Sequence, residues 1–238
     1  MITKHQALLC FNWTDGQIGS TGETMTLTLP FQIQDFGLTN YETIWALQKD
    51  LVQQRLTREI PDTLLIGEHP PVITLGRGGH AENLLNPDIP VISIERGGDV
   101  TYHGPGQLIA YPILLLPEGQ RDLHLYLRHL EESLIRTLEH FGLEGMRNPG
   151  WTGVWVQSPK DGRLLKIASI GVAVKKWATY HGIALNVNTD LLHFQQINPC
   201  GLESQVMTSL EQLLARNIPM SEVKQAFINS FRQIFYPC

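Results

Sequence analysis

The sequence predicts an α+β fold, a mixed and largely antiparallel sheet packed with helices. Two observations carry this expectation. Three stretches place apolar residues three and four apart, as one face of a helix requires, and seven short apolar runs bounded by Gly, Pro and polar clusters have the pattern of strands. The last three of those runs follow one another through short breaks, as an antiparallel meander does.

Taken in order, Thr39-Asn40-Tyr41-Glu42 has the form of a capping box. It opens a helix to about Leu56 whose apolar face is Ile44, Leu47, Leu51 and Val52. Strands are expected over residues 63–67, 72–75, 91–94 and 108–116. Asp122 caps a second helix with the stripe Leu123, Leu127, Leu130, Leu134 and Leu138, and Gly142 closes it. The meander occupies residues 153–157, 164–174 and 180–187, turned first by Ser158-Pro159-Lys160-Asp161-Gly162 and then near Trp177-Ala178. A short helix over residues 207–215 precedes one over residues 221–235, whose face is Val223, Phe227, Phe231 and Phe235. These faces are core and carry no chemistry. Residues 1–37 are set apart as an N-terminal extension or arm, in which Thr21 to Leu29 is either an extra hairpin or a mobile segment.

Residues 1–238 are expected to form a single catalytic domain. With 42% hydrophobic residues the chain can bury one substantial core, and no linker or charge block divides it. No window reaches the roughly 18 consecutive apolar residues of a membrane helix, and the N-terminus has neither signal-peptide nor transit-peptide character. The expected location is the cytoplasm, with no membrane partner. A net charge of -5 argues against nucleic acid as a partner. The three cysteines, Cys10, Cys200 and Cys238, have neither metal-like spacing nor the number of a disulfide framework. No metal and no cofactor are expected. Local positive charge at Arg77, Arg96, Lys166, Lys175 and Lys176 would steer acidic partners. Lys175-Lys176 also reads equally well as an ordinary solvated pair.

Chemistry concentrates in a few segments. Cys200 stands between Pro199 and Gly201, outside any apolar pattern, so it is presented rather than packed. Lys166 opens the apolar run Ile167-Ala168-Ser169-Ile170-Gly171-Val172, and antiparallel pairing brings it to the same sheet region as His181. The stretch from Arg96 to Gln107 holds four glycines, which permit close backbone approach and amides turned towards a ligand. It lacks both the phosphate loop GxxxxGK[ST] and the third glycine of a dinucleotide loop. Plainer readings stand beside these: Cys200 as an inert small hydrophobe, Lys166 as a strand-edge charge, the glycine stretch as a bulged loop around a buried Arg96, and His103 and His181 as loop supports.

Five segments in one order resemble the lipoyl(octanoyl) transferase family. They are Glu68-His69-Pro70-Pro71-Val72-Ile73-Thr74-Leu75-Gly76, Arg96 to Gln107, Lys166 to Gly171, His181 to Asn186, and Asn198-Pro199-Cys200-Gly201. The resemblance implies the fold shared by biotin and lipoate protein ligases. It also implies transfer of an octanoyl group from octanoyl-acyl carrier protein to a lysine of lipoyl domains, those of 2-oxo acid dehydrogenases and the glycine cleavage H protein. Under it Cys200 is the acyl-thioester nucleophile and Lys166 its activating lysine. Substrate binding is assigned to Arg96, Gly97, Gly98, Asp99, Val100, Thr101, Tyr102 and His103, to Ser169, Ile170 and Gly171, and to Gly182, Ile183 and Ala184. The alternative on the same fold is an ATP-dependent lipoate or biotin protein ligase, which needs a phosphate site and no cysteine.

Physical chemistry permits the cysteine and lysine roles. Lowering a thiol from a pKa of about 8.5 to about 7 takes roughly 2 kcal/mol. An ammonium about 4 Å away supplies about 4 kcal/mol at an effective dielectric of 20, before desolvation opposes it.

Overall fold

A computed structural model describes residues 31–85, 87–198 and 204–237. The segment from Thr21 to Leu29 and all three cysteines, Cys10, Cys200 and Cys238, lie outside the described residues.

The described chain begins with strand β1 (Gln32–Leu38) and helix α1 (Tyr41–Leu56), followed by β2 (Thr63–Glu68), β3 (Val72–Leu75) and β4 (Val91–Ser93). Next come β5 (Val100–His103), β6 (Gln107–Ile113), helix α2 (Leu123–His140), β7 (Gly145–Asn148) and β8 (Trp151–Gln157). The last elements are β9 (Leu164–Lys175), β10 (Ala178–Asn186), α3 (Leu210–Leu214) and α4 (Met220–Phe235). Seven strands form one sheet in the order β1-β2-β6-β10-β9-β8-β7, and three form a smaller one, β4-β3-β5. Pairing is antiparallel except for β1 with β2 and β3 with β4, so the mixed, largely antiparallel sheet is present.

The alternation of side chains across the pleat divides the core into two faces. Leu64, Ile66, Leu108 and Ala110 face the layer of α2 and α4, where Leu130, Leu134, Leu138, Phe227 and Phe231 meet them. Their strand neighbours Leu65, Ile109, Tyr111 and Ile113 face α1 through Ile44, Leu51 and Val52. Strand β6 is buried on both faces, as a central strand should be. Among the described residues no helix is long and apolar enough to cross a membrane.

Local signals were followed closely in places. Asp122 caps α2 by accepting from the amides of His124 and Leu125. The β9–β10 hairpin turns on Lys176 and Trp177, both with positive φ, the geometry of a two-residue turn matched to strand twist. Lys175 and Lys176 are exposed there.

Three expectations need correction. The capping box does not form: Asn40 makes no side-chain cap bond, and the Thr39 hydroxyl donates instead to the Phe36 carbonyl at 2.5 Å. Residues 32–37, placed in the arm, belong to edge strand β1, mostly exposed and therefore without an apolar signature. Residues 100–103, expected within the glycine loop, are strand β5, fully buried between glycines.

Candidate active site

The smaller sheet is docked on the larger one where the loop of residues 96–98 crosses β9. Gly97 donates its amide to the Val172 carbonyl at 2.9 Å. Gly171 makes the crossing possible, since a Cβ there would stand 2.8 Å from Arg96 Cδ and 3.2 Å from the Gly97 carbonyl oxygen. The crossing encloses a cavity of about 410 Å³, within the roughly 300–1,000 Å³ usual for ligand clefts. Its walls are residues 96–101 with His103, residues 169–172 of β9, residues 181–184 of β10, and Lys166.

Lys166 is buried, 3% exposed, on a strand with neighbours on both sides, which removes its reading as a strand-edge charge. Trp155 is its partner across β8, and the Lys166 ammonium stands 5.5 Å from the centre of the indole ring. On its other side the Lys166 carbonyl accepts from the Thr208 amide at 3.0 Å.

A run of hydrogen bonds joins the separate motifs beneath the cavity. Arg96 Nη2 donates to the Thr74 carbonyl at 2.8 Å and to its hydroxyl at 3.0 Å. The Thr74 hydroxyl lies 3.4 Å from His103 Nε2, and His103 Nδ1 lies 2.8 Å from Gln107 Oε1. Gln107 donates to Asn186 Oδ1 at 2.9 Å, and Asn186 donates to the Thr208 carbonyl at 2.9 Å. The run therefore ends on the residue bonded to Lys166. Every partner is buried, so each link that is broken leaves an unsatisfied polar group.

His103 and His181 line the cavity, the His69 ring stands 6.2 Å from that of His103, and all three histidines are held neutral. Burial lowers His69 to about 4, against the Thr39 carbonyl that favours its protonated form. Burial lowers His103 to about 3, with nearby His69 adding to the effect. Burial also lowers His181 to about 4, opposed by the Glu95 carboxylate. The tautomer of His69 follows from its partners. The Thr39 carbonyl, 2.5 Å from Nδ1, can only accept, so Nδ1 carries the hydrogen and Nε2 accepts from the Tyr111 hydroxyl at 2.9 Å. His181 has positive φ and is fixed by Gln48 Oε1 on its amide at 2.7 Å and by the Tyr41 hydroxyl, 3.3 Å from Nδ1. The histidines thus offer neutral donors and acceptors rather than charge. Among the described residues no three His, Cys, Asp or Glu side chains are grouped to hold a metal ion.

Comparison with known proteins shows what the chain is related to. Residues 40–232 match the model of the lipoyl protein ligase A/B catalytic domain. An octanoyltransferase of Syntrophotalea carbinolica is 47% identical over 203 residues, covering 85% of this chain and 93% of that protein. The chain belongs to the octanoyltransferase family. A second member, from Rubrobacter xylanophilus, is 48% identical over 207 residues, covering 83% of this chain and 90% of its own. As a member the chain is an enzyme that transfers octanoyl groups. A solved bipartite lipoate protein ligase of Thermoplasma acidophilum superposes with a TM-score of 0.66 at 17% identity, covering 88% of this chain and 85% of that one. At that identity the likeness concerns the fold alone, the lipoate protein ligase catalytic fold.

Cys200 lies outside the described residues, and of the site residues expected from the sequence every described one except Tyr102 lines the cavity. Lys166, Arg96 to Thr101, His103, Ser169 to Gly171 and Gly182 to Ala184 all line it. Tyr102 does not, because alternation along β5 turns its ring to the opposite side, against His193 and Phe194. Asp99 contributes to the wall while its carboxylate holds the His80 amide at 3.1 Å and the Asn83 side chain at 2.5 Å. The Gly104-Pro105-Gly106 turn is structural: Gly106 donates to Glu68 Oε2 at 2.8 Å and accepts from the Val187 and Asn188 amides. Sequence reasoning passed over Tyr41, Tyr111 and Trp151, which also line the cavity, and the expectation that Leu123 and Leu127 are core needs correction, because at the start of α2 they face the cavity instead. Leu123 and Trp151 are large apolar groups left 41% and 39% exposed, which only the structure shows.

Proposed function

We propose that the enzyme carries the octanoyl group as a thioester on Cys200, taking it from octanoyl-acyl carrier protein and passing it to the target lysine of lipoyl domains. The acceptors in this reading are the lipoyl domains of 2-oxo acid dehydrogenases and the glycine cleavage H protein. The observation that carries it is how both flanks of residues 199–203 are tied to the cavity wall. Asn198 donates its amide to the Asn83 carbonyl at 2.9 Å, and Asn83 donates to Asp99. Beyond the segment, Thr208 is bonded to Lys166 itself. Cys200 follows Asn198 by two residues, a spacing that spans at most about 7 Å of chain.

In the first step Cys200, as thiolate, attacks the thioester carbonyl. A new carbon–sulfur bond forms, the bond to the pantetheine sulfur breaks, and the leaving thiolate takes a proton from the Lys166 ammonium. Lys166 is then neutral. In the second step the acceptor lysine nitrogen attacks the acyl carbonyl, its proton passes to Lys166, and the Cys200 carbon–sulfur bond breaks. An amide is released while thiolate and ammonium are restored. Binding is assigned in this reading to the cavity walls at residues 96–101, 103, 169–171 and 182–184. Ile170, Val172 and Ile183 supply apolar surface for an aliphatic chain.

Intact mass after donor alone, followed by peptide mapping, tests the reading. The expected result is one octanoyl group on Cys200 without ATP. Transfer that appears only with free octanoate and ATP would establish a ligase instead.

A further inference from the structure

Glu131 lies on α2, outside the segments that carry the reaction, yet it is 1% exposed. Its Oε2 receives Arg128 Nη1 at 2.5 Å and Arg147 Nε at 3.1 Å, so two guanidiniums compensate the buried charge. Its Oε1 has a different task. It accepts the amide of Gly153 at 3.3 Å, in a buried position.

Gly153 stands at an irregular point of the sheet. Trp155 pairs with Lys166 but Val154 pairs with Ala168, so Ile167 is an extra residue and β9 bulges directly beside the lysine. The φ of Gly153 is +123°, a conformation side chains rarely adopt. A Cβ there would meet the Ala168 carbonyl oxygen at 2.4 Å and Lys166 Cε at 2.9 Å. The backbone of residue 153 is therefore the wall against which the Lys166 side chain lies. Trp155 forms the adjoining wall, with its ring under the ammonium.

We propose that Glu131 is a positioning residue for octanoyl transfer: by holding the Gly153 amide it fixes the backbone wall beside Lys166 and so sets where the lysine ammonium stands. This inference rests on the acid–base role given to Lys166 above. Without the carboxylate oxygen, the Gly153 amide is buried without an acceptor and the backbone there is free to shift. A shift of about 1 Å in a reacting group can cost on the order of 100-fold in rate.

The test measures steady-state transfer from octanoyl-acyl carrier protein, and the pH profile of Cys200 alkylation read by peptide mapping. Glu131→Gln keeps an acceptor oxygen and should stay within about threefold of the parent, whereas Glu131→Ala should lower kcat on the order of 100-fold with KM within about twofold. Glu131→Met, which fills similar volume with no acceptor, serves if the alanine variant does not fold. Both acceptor-less variants should move the alkylation profile to higher pH. On a Lys166→Ala background neither should change the profile further, because residues that act as one unit are not additive. Equal losses in Gln and Ala or Met, a further shift on the Lys166→Ala background, or parental kcat without the acceptor would each overturn the proposal. Full activity of Lys166→Ala alone would instead remove the role of the lysine.

Discussion

The Thr208 amide donates to the Lys166 carbonyl at 3.0 Å, so the chain that leaves β10 and carries Cys200 returns onto the strand that carries the lysine. Met207 forms a parallel bridge at the same residue. Cys200 and Lys166 are separated by 34 positions in the sequence, and the contact joins Lys166 to a residue eight positions beyond the cysteine.

Cys200→Ala is expected to abolish transfer, and Lys166→Ala to lower kcat by orders of magnitude with an unchanged urea midpoint. Full activity of either variant, in the assay with carrier-protein donor and apo lipoyl domain, would take that residue out of the mechanism.

Of the three thiols, Cys200 should be the most reactive at neutral pH, because only the thiolate alkylates. Competitive labelling with iodoacetamide, resolved by peptide, should show Cys200 modified before Cys10 and Cys238. Lys166→Ala should remove that advantage.

Asn186→Ala should destabilise the protein by about 1–3 kcal/mol, the cost of leaving buried partners unpaired. The partners are Gln107 Nε2 and the Thr208 carbonyl, each 2.9 Å away. Urea unfolding measures the stability. The same variant should slow transfer more than a distant substitution of equal cost, because Thr208 is bonded to Lys166.

Gly171→Ala should raise KM for the donor, because its Cβ would press Arg96 Cδ at 2.8 Å and lift the 96–98 loop from β9. Unchanged KM with unchanged kcat would show that the loop accommodates the methyl group.

Acid should destabilise the fold before the carboxylates titrate. The folded-state pKa of His69 is lowered to about 4, below its ordinary 6.5, so between those values the unfolded chain binds a proton that the folded chain refuses. Stability is therefore constant above about pH 6.5 and falls as pH drops towards 4, by on the order of 3 kcal/mol for this histidine. His69→Gln should reduce that slope when urea midpoints are compared between pH 7 and 4.5, the remainder coming from His103 and His181.

Much of this was legible because it is local. A single aspartate followed by a leucine stripe defines α2, and Phe227 and Phe231 with Val223 define the buried face of α4, since helical hydrogen bonds and faces are set by residues within a few positions. The strands that escaped notice lacked such signals. Strands β1 and β7 are the two edges of the large sheet, only partly covered, and β5 is four residues long between glycines.

The candidate site divides along the same line. By itself the sequence determined the fold class, the family and the cavity lining at residues 96–101, 103, 166, 169–171 and 182–184, because clustered glycines and an isolated lysine in an apolar run are marks that backbone geometry leaves on the chain. Only the tertiary structure decided that Tyr102 turns away from the cavity, that three histidines are kept neutral by burial, and that Glu131 reaches Gly153. Pleat alternation, desolvation and a hydrogen bond across 22 residues all depend on what packs around a residue, and no neighbouring letter in the sequence records it.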